Sequence, residues 1–192
     1  GWVFREWAPN ASSIHMVGDF SDWQIRDELA MQRINDVGDW ELRLPAHALK
    51  HEQLFKLQLS WPGGGGDRIP AYARRVVQDD HTKVFCAQVW APDTPYWWEH
   101  PHPDTQSRMP LIYESHVGMA QEEGRVGTYD EFREHILPRI HAAGYNTIQL
   151  MAIQEHPYYG SFGYHVANFF AASSRCGTPD ELKALVDEAH RL

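Results

Sequence analysis

Cysteine is scarce in this sequence, which contains only Cys86 and Cys176 and no C-x-x-C pair. So few thiols argue against a disulfide-stabilised scaffold and against a cysteine-rich zinc site. The sequence also lacks an apolar run near the roughly 18 residues that a membrane helix requires. Its first residues, GWVFREWAPN, do not follow the charged and then apolar pattern of a signal peptide. We therefore expect a cytoplasmic protein with no membrane partner.

Basic residues are outnumbered, with 17 Lys and Arg against 26 Asp and Glu, and the formal net charge is −9 at pH 7. An acidic chain of this kind disfavours nucleic acid as a partner, because nucleic acids bind to basic surfaces. The G-x-G-x-x-G, P-loop and G-x-S-x-G motifs are absent as well. The sequence therefore predicts no nucleotide cofactor, and we expect neither a metal nor any other cofactor.

Aromatic residues, in contrast, are abundant, with eight each of Trp, Tyr and Phe. Six of them fall within the thirteen residues YYGSFGYHVANFF, which run from Tyr158 to Phe170. Aromatic rings that carry hydroxyls suit sugars, because the ring covers the C–H face of a pyranose while the hydroxyl binds its oxygens. The alternative is a packed aromatic corner, since most aromatic side chains fill protein cores.

The first ninety residues read as short strands of a β-sandwich. WELRL and LFKLQLSW alternate apolar and polar residues, which is typical of half-buried strands. The segments APNASS, GDFSDW, NDVGDW and PGGGGD indicate the turns between such strands, and this spacing favours a sandwich. Trp23 follows one turn, Lys56 lies on a polar strand face, and Trp61 precedes the glycine-rich turn. These three side chains are candidate sugar contacts, with a core position as the alternative for each Trp.

The second half has the pattern of parallel βα units. Residues 91–110, rich in proline, form a linker that we expect to pack through its Trp and Tyr side chains. A buried strand, LIYESHVG, precedes a helix that Thr128 and Glu131 begin with a capping box and that Pro138 should kink or split. A second buried strand, NTIQLMAI, precedes a helix whose capping box is formed by Thr178 and Glu181. Such units are too few for a complete (β/α)₈ barrel, which takes about 250 residues.

The segments YESHVGMA and YDEFREHILPRIHAAGYNTIQLMAIQEHPYYGSFGYHVANFFAASSRCGTPDELKALVDEAHRL resemble the 1,4-α-glucan (glycogen) branching enzymes of the α-amylase superfamily. FREWAPNASSIHMVGDF and DRIPAYARRV are similar to the carbohydrate-binding module of family 48 that precedes the barrel in those enzymes. The resemblance implies a multidomain chain. It has an immunoglobulin-like all-β sandwich over residues 1–90, a linker over 91–110 and the first βα units of a TIM barrel over 111–192.

The resemblance also implies an activity, the transfer of α-1,4-glucan segments to form α-1,6 branches by retaining double displacement. The partners would be glycogen, amylose or starch. The Asp nucleophile and the Glu acid/base of that family fall beyond Leu192, so we expect no catalytic residue in this chain and no branching activity from it alone.

Tyr164 matches a tyrosine of the family that contacts the substrate, and Tyr159 and His165 beside it are further candidates. Trp23 and Lys56 match the sugar-binding residues of the module. We expect Phe169 and Phe170 to pack beneath the loop that carries Tyr164. Two alternatives stay open: a glucan-binding module without activity, and a debranching enzyme or another relative of the amylases.

Overall fold

The computed structural model describes residues 1–104, 106 and 108–192; Thr105 and Ser107 of the predicted linker lie outside the described residues. It divides into two compact units, one of Gly1–Asp93 with Asn168–Ala171 and one of Thr94–Ala167 with Ala172–Leu192. The strands are β1 Trp2–Trp7, β2 Ser13–Gly18, β3 Gln32–Arg33, β4 Asp39–Leu44, β5 Leu54–Trp61, β6 Gly64–Arg68, β7 Val76–Gln78, β8 Phe85–Gln88, β9 Ile112–Ser115, β10 Thr147–Leu150, β11 Gln154–Glu155 and β12 Asn168–Ala172. Apart from short 3₁₀ turns, the helical segments are α1 Tyr129–Glu131, a π segment Phe132–Ile136, α2 Leu137–Ala142 and α3 Pro179–Arg191.

The first unit contains two antiparallel sheets that share one apolar core. One sheet has the order β1-β4-β3, and the other has the order β2-β5-β8-β7 with β6 added on β5. Ile14, Met16, Trp40, Leu57 and Val76 are buried in the core between them. Each fully buried aliphatic side chain of this kind stabilises the fold by about 1.5–3 kcal/mol. This arrangement is the β-sandwich that the alternating strands predict.

The hairpin of β5 and β6 differs from the predicted glycine-rich turn. Only Pro62 and Gly63 make the turn, whereas Gly64–Arg68 form a strand whose residues pair with β5 from Trp61 to Leu57. The reason is steric: a Cβ on Gly64 would lie only 2.9 Å from the Trp61 Nε1 atom. Glycine therefore allows the indole to lie against the neighbouring strand, and Trp61 stays 43% exposed rather than entering the core.

The second unit contains a parallel pair of strands, as the βα pattern predicts. β10 pairs with β9, with Thr147 opposite Ile112 and Leu150 opposite Ser115. The prediction that these strands are buried is wrong, because Ile112 is 51% exposed and Tyr113 is 38% exposed. In the described part of the chain this sheet has two strands, so each strand keeps a free edge and much of its surface stays uncovered.

The helix between β9 and β10 begins at the predicted capping box and is interrupted at the predicted proline. The Glu131 N–H donates to Thr128 Oγ1 at 3.1 Å, and the Thr128 N–H donates to the Glu131 carboxylate at 2.9 Å. Such a cap stabilises a helix by about 1 kcal/mol. Pro138 has no N–H and its ring would clash with the preceding turn, so the chain widens and the Leu137 N–H bonds to the Phe132 carbonyl, five residues back.

The core of the second unit lies under α3 and the interrupted helix. Tyr129, Phe132, Leu137, Ile140 and Leu185 are its principal buried side chains. Ala143, which follows α2, is exposed. The π segment changes the helical register, so Leu137, five residues after Phe132, also faces the core. Among the described residues, none of the helices has the length and apolar character needed to cross a membrane.

Candidate functional site

Trp23 is held on the surface of the first unit by the short 3₁₀ turn Asp19–Ser21. Its backbone has a left-handed φ of 59°, and its N–H donates to the Gly18 carbonyl at 2.9 Å. The indole N–H donates to Asp19 Oδ1 at 3.0 Å, while Asp19 Oδ2 accepts from the Leu54 N–H at 2.7 Å. The ring is therefore fixed in orientation while it remains 41% exposed, which suits a platform for stacking a sugar.

Lys56 lies at the same end of the sheet as Trp23, and Trp61 does not. Lys56 is opposite Val17 in the β2–β5 ladder, next to Gly18, which binds the Trp23 N–H. Trp61 is five residues further along β5, which corresponds to about 17 Å in an extended strand. The strand register thus places two of the three candidate sandwich contacts at one end of the sheet, and all three roles remain predictions.

The aromatic segment after β10 begins with the 3₁₀ turn Tyr159–Ser161 and is tied to the residues that follow β9. The Tyr159 hydroxyl donates to the Gly118 carbonyl at 3.2 Å, and burial raises the pKa of this phenol. His116 Nε2 lies 2.8 Å from the Phe162 carbonyl oxygen, to which it can only donate. These two bonds join the chain at the carboxyl ends of both parallel strands.

Tyr164 and His165 are exposed near the tip of this segment. The Tyr164 N–H donates to the Ser161 carbonyl at 3.1 Å, and its side chain is 63% exposed. In the part of the chain that the structure describes, the Tyr164 hydroxyl has no hydrogen-bond partner. A phenol presented in this way can both stack on a sugar and bond to its oxygens. Tyr159, in contrast, has its hydroxyl engaged by the protein.

The expectation that Phe169 and Phe170 pack beneath the loop is wrong. Phe169 is 71% exposed and Phe170 is 60% exposed, whereas Asn168 and Ala171 of the same strand are buried. In β12 the buried residues are Asn168 and Ala171, and the two consecutive phenyl rings stay largely exposed. Phe170 lies against Tyr72, with ring centroids 5.4 Å apart.

A buried carboxylate that sequence reasoning missed lies just before the aromatic segment. Glu155 is fully buried, and its oxygens accept from the His156 N–H at 3.1 Å and the Ser174 N–H at 2.8 Å. Buried carboxylates require such partners. In the sequence, the only signal of a role for Glu155 is its position between a strand and the His-Pro pair. Among the described residues, no three His, Cys, Asp or Glu side chains come together as metal ligands.

Comparison with known proteins identifies relatives along the whole chain. Residues 1–73 match the family Carbohydrate-binding module 48 (Isoamylase N-terminal domain). The chain is 44% identical to the 1,4-α-glucan-branching enzyme 2-2, chloroplastic/amyloplastic, of Arabidopsis thaliana, covering 100% of this chain and 24% of the relative. It is 46% identical to the 1,4-α-glucan-branching enzyme of Yarrowia lipolytica, covering 99% of this chain and 28% of the relative.

Solved structures of enzymes share the fold at low sequence identity. The pullulanase SAP of Group B Streptococcus superposes with a TM-score of 0.78 at 17% identity, covering 98% of this chain and 30% of the other. A putative α-amylase from Salmonella typhimurium superposes with a TM-score of 0.74 at 23% identity, covering 98% and 29%. The resemblance to the branching-enzyme family is confirmed by the sequence relatives, and the chain spans about a quarter of their length.

Proposed function

Because the chain matches 1,4-α-glucan-branching enzymes along its whole length, we propose that it forms part of an enzyme with that activity. The reaction would cleave an α-1,4 linkage, hold the glucan segment covalently on a carboxylate, and transfer it to a 6-hydroxyl as an α-1,6 branch. Identity of 44–46% to relatives from a plant and a yeast is the observation that carries the proposal. Location in the cytoplasm remains a prediction, since the plant relative is named as chloroplastic or amyloplastic.

We assign separate tasks to the predicted regions. Residues 1–90 would bind glucan, and residues 91–110 would connect them to the next region. Residues 111–192 would form the first part of a (β/α)₈ barrel of the amylase type. The parallel pairing of β9 with β10 through an intervening helix supports the last assignment. In such barrels the loops at the carboxyl ends of the strands form the active site. The segment with Tyr164 follows β10 at that end.

The side chains of this chain would bind and orient the glucan rather than break its bonds. Tyr164 offers an exposed ring and an unengaged hydroxyl, and we propose it as the substrate contact of the barrel, with His165 beside it. Tyr159 would support the loop through its bond to Gly118. On the sandwich, Trp23 would stack on the glucan while Lys56 bonds to its oxygens. The nucleophile and the acid/base would come from sequence after Leu192.

A chimera tests the activity. This chain replaces the matching segment of the Yarrowia lipolytica enzyme, and branching of amylose is followed by the loss of iodine staining. We expect the chimera to branch amylose. Tyr164→Ala should lower the rate at least tenfold, in the range of lost substrate-orienting contacts. Tyr158→Ala, which removes another exposed ring of the same segment, should have little effect and serves as the matched control.

Two other results would contradict the proposed activity, and a third would contradict the role of Tyr164. Release of reducing ends without branch formation would indicate a hydrolase. Glycogen binding without any change in iodine staining would indicate a binding module. Equal losses for Tyr164→Ala and Tyr158→Ala would remove the specific role of Tyr164, although the activity itself would stand.

A further inference from the structure

His116 directly follows β9, and its ring reaches the aromatic segment that comes after β10. Its Nε2 atom lies 2.8 Å from the Phe162 carbonyl oxygen. A carbonyl oxygen can only accept, so this geometry places the ring proton on Nε2. Phe162 stands two residues before Tyr164, the proposed substrate contact. The bond therefore ties the end of one parallel strand to the chain immediately before the exposed tyrosine.

The backbone of Phe162 has an unfavourable conformation. Its φ of 54° and ψ of 27° lie in the left-handed region, which bulky residues rarely adopt. Gly163 follows with a left-handed φ of 85°. This left-handed pair ends the 3₁₀ turn, and the Tyr164 N–H comes to lie 3.1 Å from the Ser161 carbonyl. A strained conformation of this kind persists only where its surroundings hold it, and such residues cluster at functional sites.

Two contacts hold the left-handed pair in place. A Cβ on Gly163 would lie 2.5 Å from the Ala152 carbonyl oxygen, so this position requires glycine and packs tightly on the chain after β10. The other contact is the bond from His116 to the carbonyl of Phe162. The cavity that His116, Ala152 and Tyr159 help to line has a volume of only about 10 Å³. The turn is therefore closely packed on the ends of both parallel strands.

The bond from Tyr159 to Gly118 acts on the beginning of the same turn, three residues before Phe162. The Gly118 carbonyl also accepts from the Gly127 N–H at 2.9 Å, so this oxygen keeps a partner when Tyr159 is removed. His116 acts on Phe162 itself. It therefore acts nearer to the exposed tyrosine along the chain than Tyr159 does.

We infer that His116 is a positioning residue for the glucan site. Its hydrogen bond holds the Phe162 carbonyl, and with it the left-handed pair, in the conformation that presents the Tyr164 ring and hydroxyl to the substrate. The inference rests on the proposed function for the role of Tyr164. His116 acts without touching the glucan, because its N–H is engaged and its Nδ1 atom is buried. Small displacements of a substrate-orienting group are enough to slow a reaction.

Three variants of His116 in the chimera separate the hydrogen bond from the volume of the ring. His116→Gln keeps an N–H donor at nearly the reach of Nε2, so kcat/KM for amylose should stay close to that of the parent. His116→Leu fills the space without a donor, and the amide of His116→Asn falls one methylene short. Each of these two should lower kcat/KM about tenfold, the effect of one lost hydrogen bond. His141→Leu, at an exposed position near the end of α2, is the matched control and should leave kcat/KM unchanged.

A double variant separates positioning from general destabilisation. If His116 acts through Tyr164, then His116→Leu combined with Tyr164→Ala should lose little more than Tyr164→Ala alone. Both single variants should also change the same constant, kcat or KM. Losses that multiply in the double variant would overturn the inference, and so would a loss in His116→Gln as large as that in His116→Leu. Unfolding midpoints identify any variant that fails to fold, and His116→Asn then takes the place of His116→Leu.

Amide hydrogen exchange in the 192-residue chain gives a readout that is independent of activity. The N–H groups of Phe162 and Tyr164 donate to carbonyls of the same turn, at 2.7 and 3.1 Å. Both should exchange about tenfold faster in His116→Leu and at the parental rate in His116→Gln. Unchanged exchange in His116→Leu would overturn the inference even if the chimera branches amylose. Faster exchange together with an inactive chimera would contradict the proposed activity and would still support the positioning of the turn by His116.

Discussion

The Tyr96 hydroxyl donates a hydrogen bond to the Asp187 carboxylate at 3.0 Å, which joins the proline-rich segment to α3. The same carboxylate accepts from the Glu99 N–H and the His100 N–H, both at 2.9 Å. The bond from the Glu99 N–H, followed by those from His100 and Tyr96, holds the pKa of Asp187 below its ordinary value. One side chain of α3 therefore satisfies two backbone groups and a phenol of a segment without regular structure.

We expect Asp187→Asn to release this segment from α3. The amide keeps the size of the carboxylate but removes the charge, and its NH₂ group faces donors instead of accepting from them. The amides of Glu99 and His100 should then exchange hydrogen faster, and the melting temperature should fall by several degrees. Glu188→Gln, which removes a neighbouring carboxylate that binds Arg191, is the control. Unchanged exchange at Glu99 and His100 in Asp187→Asn would show that the carboxylate does not hold the segment.

The phenol of Tyr96 should titrate apart from the other tyrosines. Burial and then the bond to Asp187 raise the pKa of Tyr96 to about 12, against about 10 for a free tyrosine. Its contribution to stability is therefore complete below about pH 10 and is lost as the pH rises towards 12. Absorbance at alkaline pH, compared with Tyr96→Phe, should show one late-titrating group in the native chain. In Asp187→Asn this group should titrate earlier, and an unchanged titration would contradict the assigned cause.

The helix boundaries show what could be predicted from the sequence, and Glu6 shows what could not. Thr128 and Thr178 begin their helices as predicted, because a capping box depends on residues three apart. Glu6 shares the inward register of Trp2 and Phe4, so its inward position could be predicted from the alternation of residues along β1. Its charge made burial improbable without Arg68 and the Ala71 N–H, which are more than sixty residues away. Long-range partners of this kind leave no local pattern.

The structures of β6 and of the aromatic segment were harder to predict from the sequence for a similar reason. Gly64 belongs to β6 because the Trp61 indole lies on it, whereas consecutive glycines alone indicate a turn. Phe169 and Phe170 are exposed while Asn168 and Ala171 of the same strand are buried, although hydrophobicity alone favours the reverse. The Tyr164 segment was located correctly after the second parallel strand, because the alternation of strands and helices is a local signal.

Substitution of Glu6 should destabilise the first unit strongly. Glu6→Gln replaces a buried carboxylate that accepts from the Trp7 N–H and pairs with Arg68, so the guanidinium loses its counter-charge. Breaking such a pair from one side leaves an uncompensated charge, and we expect a loss of about 3 kcal/mol in the free energy of unfolding. Glu41→Gln is the matched control, since Glu41 pairs with arginines on the outer sheet face, where solvent screens the interaction. Equal urea midpoints for the two variants would contradict the role of Glu6.

The two cysteines should resist modification in the folded chain. Burial raises the pKa of Cys176 to about 11 and also raises that of Cys86, so the thiolate fraction at pH 8 is small. We expect neither thiol to react with a disulfide reagent at pH 8 until urea unfolds the chain. Single Cys→Ser variants assign the signal to each position. Rapid labelling of either thiol in native buffer would show that its surroundings open without unfolding.

Hydrogen exchange should distinguish the parallel pair from the sandwich. β5 is hydrogen-bonded on both sides, by β2 and by β8 with β6, and its side chains Leu57 and Leu59 are buried. β9 and β10 pair with each other, and Ile112 and Tyr113 remain exposed. Local opening of a two-stranded sheet exposes less apolar surface than opening of a strand at the centre of a core, and so it requires less free energy.

We therefore expect the paired amides of β9 and β10 to exchange at least about a hundredfold faster than those at the centre of β5. The measurement requires dilute protein, because free strand edges also promote association, which would protect the same amides. Repeating it at two protein concentrations separates the two effects, since protection from association increases with concentration. Equally slow exchange in both regions of a dilute monomer would mean that the second unit is stable as it stands. It would also weaken the proposal that β9 and β10 are the first strands of a larger barrel.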